Sequence, residues 1–119
     1  MDRPLDALRA SALDLSTAAR DAGEYEVAYH ALCALLHAGE SLNDAATCTL
    51  VAQRASECRA WLDANAPAHK LSSESAQRRG HESIFKQLTV TAQAAQLRIH
   101  ADAQKREGRP KAPLADRRS

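Results

Sequence analysis

The chain has 119 residues, of which 45% are hydrophobic and 3% aromatic, and its formal net charge at pH 7 is +1. This length suits one domain with one core and leaves too little chain for two. Alanine supplies 26 residues and β-branched residues are few, a composition that favours helices over sheets. No run of about 18 apolar residues occurs, so we expect no transmembrane helix.

The first two predicted helices cover residues 4–22 and 24–38. In each segment apolar residues recur every three or four positions, the spacing that places them on one face of a helix. Gly23 and Gly39 follow the two segments, and glycine commonly ends a helix because it readily adopts the left-handed conformation. A single glycine between two helices predicts an antiparallel hairpin. The two apolar stripes are Leu5, Leu8, Ala12, Leu15, Ala19 and Ala22, and then Tyr25, Ala28, Leu32 and Leu35.

The third predicted helix covers residues 42–65. Ser41 and Asp44 stand three positions apart at its start, as in a capping box, and Asn43 or Asp44 is the alternative cap. The helix is predicted to end at Asn65, because the residue before a proline is pushed out of helical geometry. Its apolar stripe consists of Cys48, Val51, Ala55, Cys58 and Leu62.

The fourth predicted helix ends near residue 105 and has two alternative starts, residue 74 and residue 82. Leu71, Ser72 and Ala76 have the spacing of a hydrophobic staple, which favours the early start. Gly80 weakens helical continuity through this segment, which favours the late start. The apolar stripe of this helix consists of Phe85, Leu88, Ala92, Ala95 and Ile99.

Residues 1–107 therefore form a single predicted domain of the all-α class. Four amphipathic helices with mainly short connections pack most simply as an antiparallel up-down four-helix bundle, and helical hairpins stacked as a short solenoid are the alternative. Residues 108–119 are predicted to be a disordered basic tail, because they contain two prolines and few large apolar residues. From Lys105 to the end, six basic residues outnumber two acidic ones.

Residues 23–35 resemble the turn and second helix of a tetratricopeptide hairpin. The resemblance rests on a glycine, an aromatic residue and an alanine that precede larger apolar positions at a set spacing. No second copy of this pattern occurs about 34 residues later. The resemblance implies stacked helical hairpins that act as a peptide- or protein-binding scaffold. The residues that carry it are Gly23, Tyr25, Ala28, Leu32 and Leu35.

A second stripe on the second predicted helix carries side chains of the kinds that bind metals. Side chains one turn apart on a helix can hold an ion between them. If the second and third helices form a hairpin, Cys33 comes level with Cys48 on the neighbouring helix. The alternative interpretation is that Cys48 is a small core residue and that the histidines are solvated. The candidate ligands for zinc or another soft metal are Cys33, His37, Cys48 and His30.

Several large apolar residues lie outside the four stripes. Tyr29 and Leu36 flank the stripe of the second helix, and Leu50 and Trp61 lie on another side of the third helix. Extra apolar surface either widens the core or binds another chain, and tryptophan is favoured in contacts between proteins. These four residues are therefore the candidate partner-binding residues.

Together these patterns predict a non-catalytic helical protein that acts through self-association or a protein partner, without a cofactor. A small zinc-binding bundle is the first alternative, and weak nucleic-acid binding through the basic tail is the second. The four glycines are isolated, and neither GxSxG, CxxC nor HExxH occurs, which argues against the enzyme classes that use these motifs. The sequence does not begin with the basic and apolar segments of a signal peptide, so we expect a cytoplasmic location.

Overall fold

The structure is a computed structural model that describes residues 3–108 of the chain. The described residues contain no strand, which confirms the all-α class. No helix within this range is both long and apolar enough to cross a membrane. The predicted disordered tail lies outside the described residues, apart from Gly108. The described residues form five helices: α1 (Arg3–Asp21), α2 (Tyr25–Ser41), α3 (Ala45–Asn65), α4 (Ser73–Arg78) and α5 (Ile84–Gly108).

The turn between α1 and α2 is built on Gly23, as the sequence predicts. Gly23 has a φ of 78°, in the left-handed region that favours glycine. Its N–H donates to the Arg20 carbonyl at 3.0 Å, and the Glu24 N–H donates to the Ala19 carbonyl at 2.8 Å. These bonds satisfy carbonyl groups at the end of α1 and turn the chain back along it as a hairpin.

Gly39 does not end the second helix, contrary to the prediction. α2 continues to Ser41, and the left-handed residue of the following turn is Asn43, with a φ of 52°. Gly39 is buried where α2 meets α3, and a Cβ atom at this position would lie 3.0 Å from Thr47 Cγ2 and 3.3 Å from Cys48 Sγ. This glycine therefore permits the close approach of two helices.

Side-chain caps fix the starts of α3 and α4. The Thr47 N–H donates to Asp44 Oδ1 at 3.1 Å, so Asp44 is the cap of α3. The Ser75 N–H donates to the Ser72 hydroxyl at 3.1 Å and caps α4. Gly80, with a φ of 76°, lies between α4 and α5. The two alternative starts predicted for the fourth helix therefore correspond to two separate helices.

The four long helices pack in chain order, α1 on α2, α2 on α3 and α3 on α5. The pairs α1–α3 and α2–α5 touch less extensively, and α1 does not pack against α5 within residues 3–108. Two helical hairpins, α1/α2 and α3/α5, therefore lie side by side. The exact topology, a closed four-helix bundle or stacked hairpins, stays a prediction.

The core is formed mainly by the facing stripes of α3 and α5, and every residue predicted for these two stripes is buried. Phe85 has no exposed surface, and its ring meets the Tyr29 ring of α2 edge-on, with 5.9 Å between centroids. Ala55, Ala92 and Ala95 are also buried. Such small side chains let neighbouring helices approach closely.

α1 buries only part of the stripe that the sequence predicts: Leu5 and Ala19 are buried, whereas Ala22 is exposed. Two predicted core residues, Leu8 and Leu15, are 53% and 51% exposed, whereas Ser16 is fully buried. The Ser16 hydroxyl donates to the Leu13 carbonyl at 2.9 Å, so its polar group is satisfied within the helix. Ser16 therefore needs no partner outside α1, and its burial leaves the two leucines at the surface.

Arginine side chains bridge α1 and α3. Arg9 donates to Thr47 Oγ1 at 3.1 Å, and Arg54 donates to Thr17 Oγ1 at 2.8 Å. These long side chains span two helices whose backbones touch little. One side of α1 is thereby tied to α3, which leaves the opposite side of the helix open.

Candidate functional site

The four candidate metal ligands do not come together in the structure. His30 and His37 are exposed on α2, and Cys33 is half-buried on the same helix. Cys48 is completely buried on α3, next to Gly39. Within residues 3–108, no three His, Cys, Asp or Glu side chains are grouped so that they can hold a metal ion. Zinc binding stays a prediction from the sequence.

Cys33 and His37 line a crevice of about 220 Å³ between α2 and α5. This crevice gathers two of the candidate metal ligands and two of the candidate partner-binding residues. Its carboxylate, Glu40, already pairs with Arg98 at 3.1 Å. The lining residues are Tyr29, Cys33, Leu36, His37 and Glu40 of α2 and Gln87, Leu88 and Thr91 of α5.

The thiol and the phenol of this crevice are both neutral near pH 7. Burial raises the pKa of the Cys33 thiol, and the hydrogen bond with Tyr29 acts in the opposite direction with a smaller effect. Burial also raises the pKa of the Tyr29 phenol. Because the ordinary pKa values of these groups already lie above neutrality, both keep their protons. A protonated thiol is a poor nucleophile, so the Cys33 side chain is poorly suited to covalent catalysis.

Thiol labelling of the native protein tests this description. We expect Cys33 to react slowly with a disulfide reagent, while Cys48 and Cys58 react only after denaturation because both are buried. Since the pKa of Cys33 is raised, its labelling rate should keep increasing with pH beyond the range of an ordinary thiol. The absorbance of the thiolate released from the reagent gives the number of reactive thiols per chain. The control is Cys33→Ser, which lacks the one thiol expected to react in the native protein. Two reactive thiols per native chain would contradict the burial.

The four candidate partner-binding residues differ in exposure. Trp61 is 39% exposed, and the Arg20 guanidinium lies over its ring, 4.7 Å from the centroid. Leu50 and Tyr29 are half-buried. Leu36 is only 5% exposed and belongs to the core, because α5 packs near its side of α2. Leu36 is therefore corrected to a core residue, and Trp61 is the most accessible of the four.

A broader apolar surface lies on the α1/α2 hairpin, on the side away from the arginine bridges to α3. Along each helix its members recur at helical spacing, so they line one side of that helix. None of them is charged; five are exposed and the last is half-buried. We call this surface the outer face, and it consists of Leu8, Ser11 and Leu15 on α1 and Val27, Ala34 and Ala38 on α2.

A shallow apolar groove of about 100 Å³ lies in the outer face. Its alanines leave space between the two helices that a larger side chain of another molecule can fill. The apolar spacing of α1 does not reveal this face, because it predicts Leu8 and Leu15 as core residues. One signal was present: Leu13 lies off the predicted stripe of α1, so this helix carries more apolar surface than one stripe holds. The groove is lined by Leu8, Ala12, Ala34, Leu35 and Ala38.

A larger groove, of about 560 Å³, lies between α3 and α5. Its lining is mainly neutral and polar. Glu57 is the one charged residue among the described residues that line it, and its carboxylate pairs with Arg54 Nε at 3.2 Å. This groove therefore brings no acid and base together. The other lining residues are Thr49, Ala52, Gln53, Ser56, Thr89, Gln93 and Gln96.

Comparison with known proteins finds no match for this chain. No protein-family model matches the chain, and no curated protein or solved structure matches it either. The resemblance of residues 23–35 to a tetratricopeptide hairpin is therefore not backed by a family match.

Proposed function

We propose that the protein is a non-catalytic helical interaction protein and that its outer face contacts another protein chain. The observation that carries this proposal is the half-exposure of Leu8 and Leu15 on one side of α1, next to an apolar groove. Single exposed leucines are common on protein surfaces, but a continuous uncharged face with a groove is typical of a contact surface.

Energetics support the same proposal. Burial of an apolar side chain contributes roughly 25 cal/mol per Å² that leaves water. Leu8 and Leu15 have already buried half of their surface, so they are held in place and lose little further freedom on binding. Trp61 lies near the end of α3, beside Arg20 of α1. It is a second accessible anchor for the same or another partner.

The other functions considered from the sequence have less support. The crevice at Cys33 holds a protonated thiol and a carboxylate that is already paired. The basic tail, on which nucleic-acid binding would depend, lies almost entirely outside the described residues. Contact between protein chains is therefore the function that the described surface favours.

A double substitution on the outer face tests the proposal. We expect Leu8→Glu with Leu15→Glu to weaken association roughly a hundredfold, because it removes two apolar contacts and places charges in the interface. The unfolding midpoint should change little, since both side chains point partly into solvent. Native mass spectrometry of the purified chain reports species above the 12.9 kDa monomer.

The matched control is Leu42→Glu. Leu42 is 57% exposed, like the two leucines of the outer face, but it lies in the turn between α2 and α3. We expect this variant to keep the complexes of the natural chain. If the double variant keeps them as well, the outer face is not the contact surface.

A further inference from the structure

We propose that the outer face binds the exposed side of α5 of a second copy, so that chains associate end to end. This inference rests on the proposed function and goes further by naming the partner and the surface that it presents. α1 and α5 are the first and last long helices in the order of contacts and do not touch each other within residues 3–108. The outer face lies on α1 and the adjoining side of α2, and the other surface lies on α5.

The exposed side of α5 carries its own apolar stripe. Val90, Ala94, Leu97 and Ala101 recur at spacings of four, three and four, and all four are exposed. They lie opposite the buried stripe of the same helix, by the helical period of 3.6 residues. Leu97, at 65%, is the most exposed of the large apolar residues in the described part of the chain. We call this surface the α5 stripe.

The large residues of the two surfaces have matching spacing. Val90 and Leu97 are seven positions apart on α5, and Leu8 and Leu15 are seven positions apart on α1. At a rise of 1.5 Å per residue, each pair is separated by about 10.5 Å along its helix. An antiparallel alignment therefore sets Val90 against Leu15 and Leu97 against Leu8, which allows the side chains to interdigitate.

The charges beside the two surfaces have opposite signs. Lys105 and the half-buried Lys86, which also lines a pocket beside α4, border the α5 stripe, whereas Asp14 and Glu24 border the outer face. None of these four side chains makes an ion pair within residues 3–108. Arg98 also borders the α5 stripe but is paired with Glu40. In the antiparallel alignment Lys86 lies toward the turn that contains Glu24. Two outer faces, or two α5 stripes, would bring like charges together and repel. The charges therefore favour contact between an outer face and an α5 stripe.

The proposed contact also continues the order within the chain. Each long helix packs against the one before it, and α5 of one copy on α1 of the next extends this order. Stacked helical proteins usually need terminal elements with a polar outer surface to stay soluble. Here α1 and α5 both expose leucines instead. Because the two surfaces differ, the contact is heterologous and leaves one surface of each kind open at the ends of an assembly.

Two single variants, mixed, test the proposal by sedimentation velocity of the purified full chain. Leu8→Glu inactivates the outer face and keeps the α5 stripe, whereas Leu97→Glu does the reverse. Each variant alone should associate at least about tenfold more weakly than the natural chain. Their equimolar mixture should form a one-to-one dimer that does not grow further, because each surface that remains active finds its complement on the other variant.

A charge exchange tests the alignment separately. Glu24 precedes α2 as its cap residue, but its side chain makes no cap hydrogen bond, so Glu24→Lys should leave the fold intact. We expect this substitution to weaken association about two- to fivefold, as is usual for an exposed pair. Adding Lys86→Glu should restore the loss if these two residues meet. Without restoration, the antiparallel alignment is wrong.

The possible results separate this inference from the proposed function. A natural chain that stays monomeric at high concentration overturns end-to-end association, and so does a mixture that shows no dimer. In either case the proposed function still stands if the double variant of the outer face loses a complex with a different protein while Leu42→Glu keeps it. If Leu8→Glu and Leu15→Glu change no complex at all, both proposals fail.

Discussion

Replacement of Phe85 by alanine is expected to lower the free energy of unfolding by about 3–5 kcal/mol. Phe85 is completely buried near the start of α5, and its ring meets Tyr29 of α2 edge-on at 5.9 Å between centroids. The substitution removes the apolar contacts and leaves a cavity that the rigid helices around it fill incompletely. Because the free energy of unfolding of a small domain is about 5–15 kcal/mol, the substitution removes a large part of the stability.

Chemical denaturation followed by circular dichroism measures this effect. The matched control is His100→Ala on the same helix, where the side chain is exposed and a change within about 0.5 kcal/mol is expected. A loss below about 1 kcal/mol for Phe85→Ala would mean that α5 is not docked through this residue, and the described packing of the two hairpins would be wrong.

Replacement of Ala55 by leucine is expected to destabilise the protein by about 1–3 kcal/mol, although leucine is a good helix former. Ala55 lies in the middle of the buried stripe of α3 and has no exposed surface. α5, which packs on α3, is also buried through alanines at positions 92 and 95. A leucine at position 55 needs space that these closely packed helices do not leave, so they have to move apart.

The same change at Ala60 is the control, because Ala60 is exposed on the same helix. Ala60→Leu should alter the free energy of unfolding by no more than about 0.5 kcal/mol. Thermal unfolding of the two variants side by side compares the sites directly. Equal stability of the two variants would show that α3 and α5 are not packed closely at Ala55.

The stripes of α3 and α5 were predictable from the sequence because each helix buries one face against the other. A face of this kind repeats at 3.6 residues, and all residues of both predicted stripes are buried. The turn at Gly23 was equally readable, since its left-handed backbone requires a residue such as glycine. Amphipathic stripes and glycine turns depend on residues that are close together in the chain, so a single sequence is enough to predict them.

The buried face of α1 was not predictable in the same way. Apolar spacing favours Leu8 and Leu15 as core residues, but the helix turns Ser16 inward and keeps the leucines outside. Arg9 of α1 and Arg54 of α3 form hydrogen bonds between the two helices, and these bonds depend on the tertiary arrangement. A pattern that ranks residues by hydrophobicity cannot anticipate that arginines hold one side of the helix.

The candidate site shows the same limit. The stripe of Cys33 and His37 on α2 was visible from spacing, but its proposed partner, Cys48, is buried in the core beside Gly39. Whether two helices bring ligands together depends on their rotation, which the sequence does not state. The sequence likewise predicts a helix end at Gly39, whereas in the structure this residue permits the close contact of α2 and α3.

The most direct test of the outer face as a contact surface is photo-crosslinking in the cells that make the protein. A photoreactive residue is placed at Ser11, in the middle of the outer face, and in a matched chain at Ser56, which is exposed in the groove between α3 and α5. We expect irradiation to give a discrete adduct from position 11, with twice the chain mass if the partner is a second copy, and none from position 56. The absence of an adduct from position 11, or an equal yield from position 56, would contradict the proposed function.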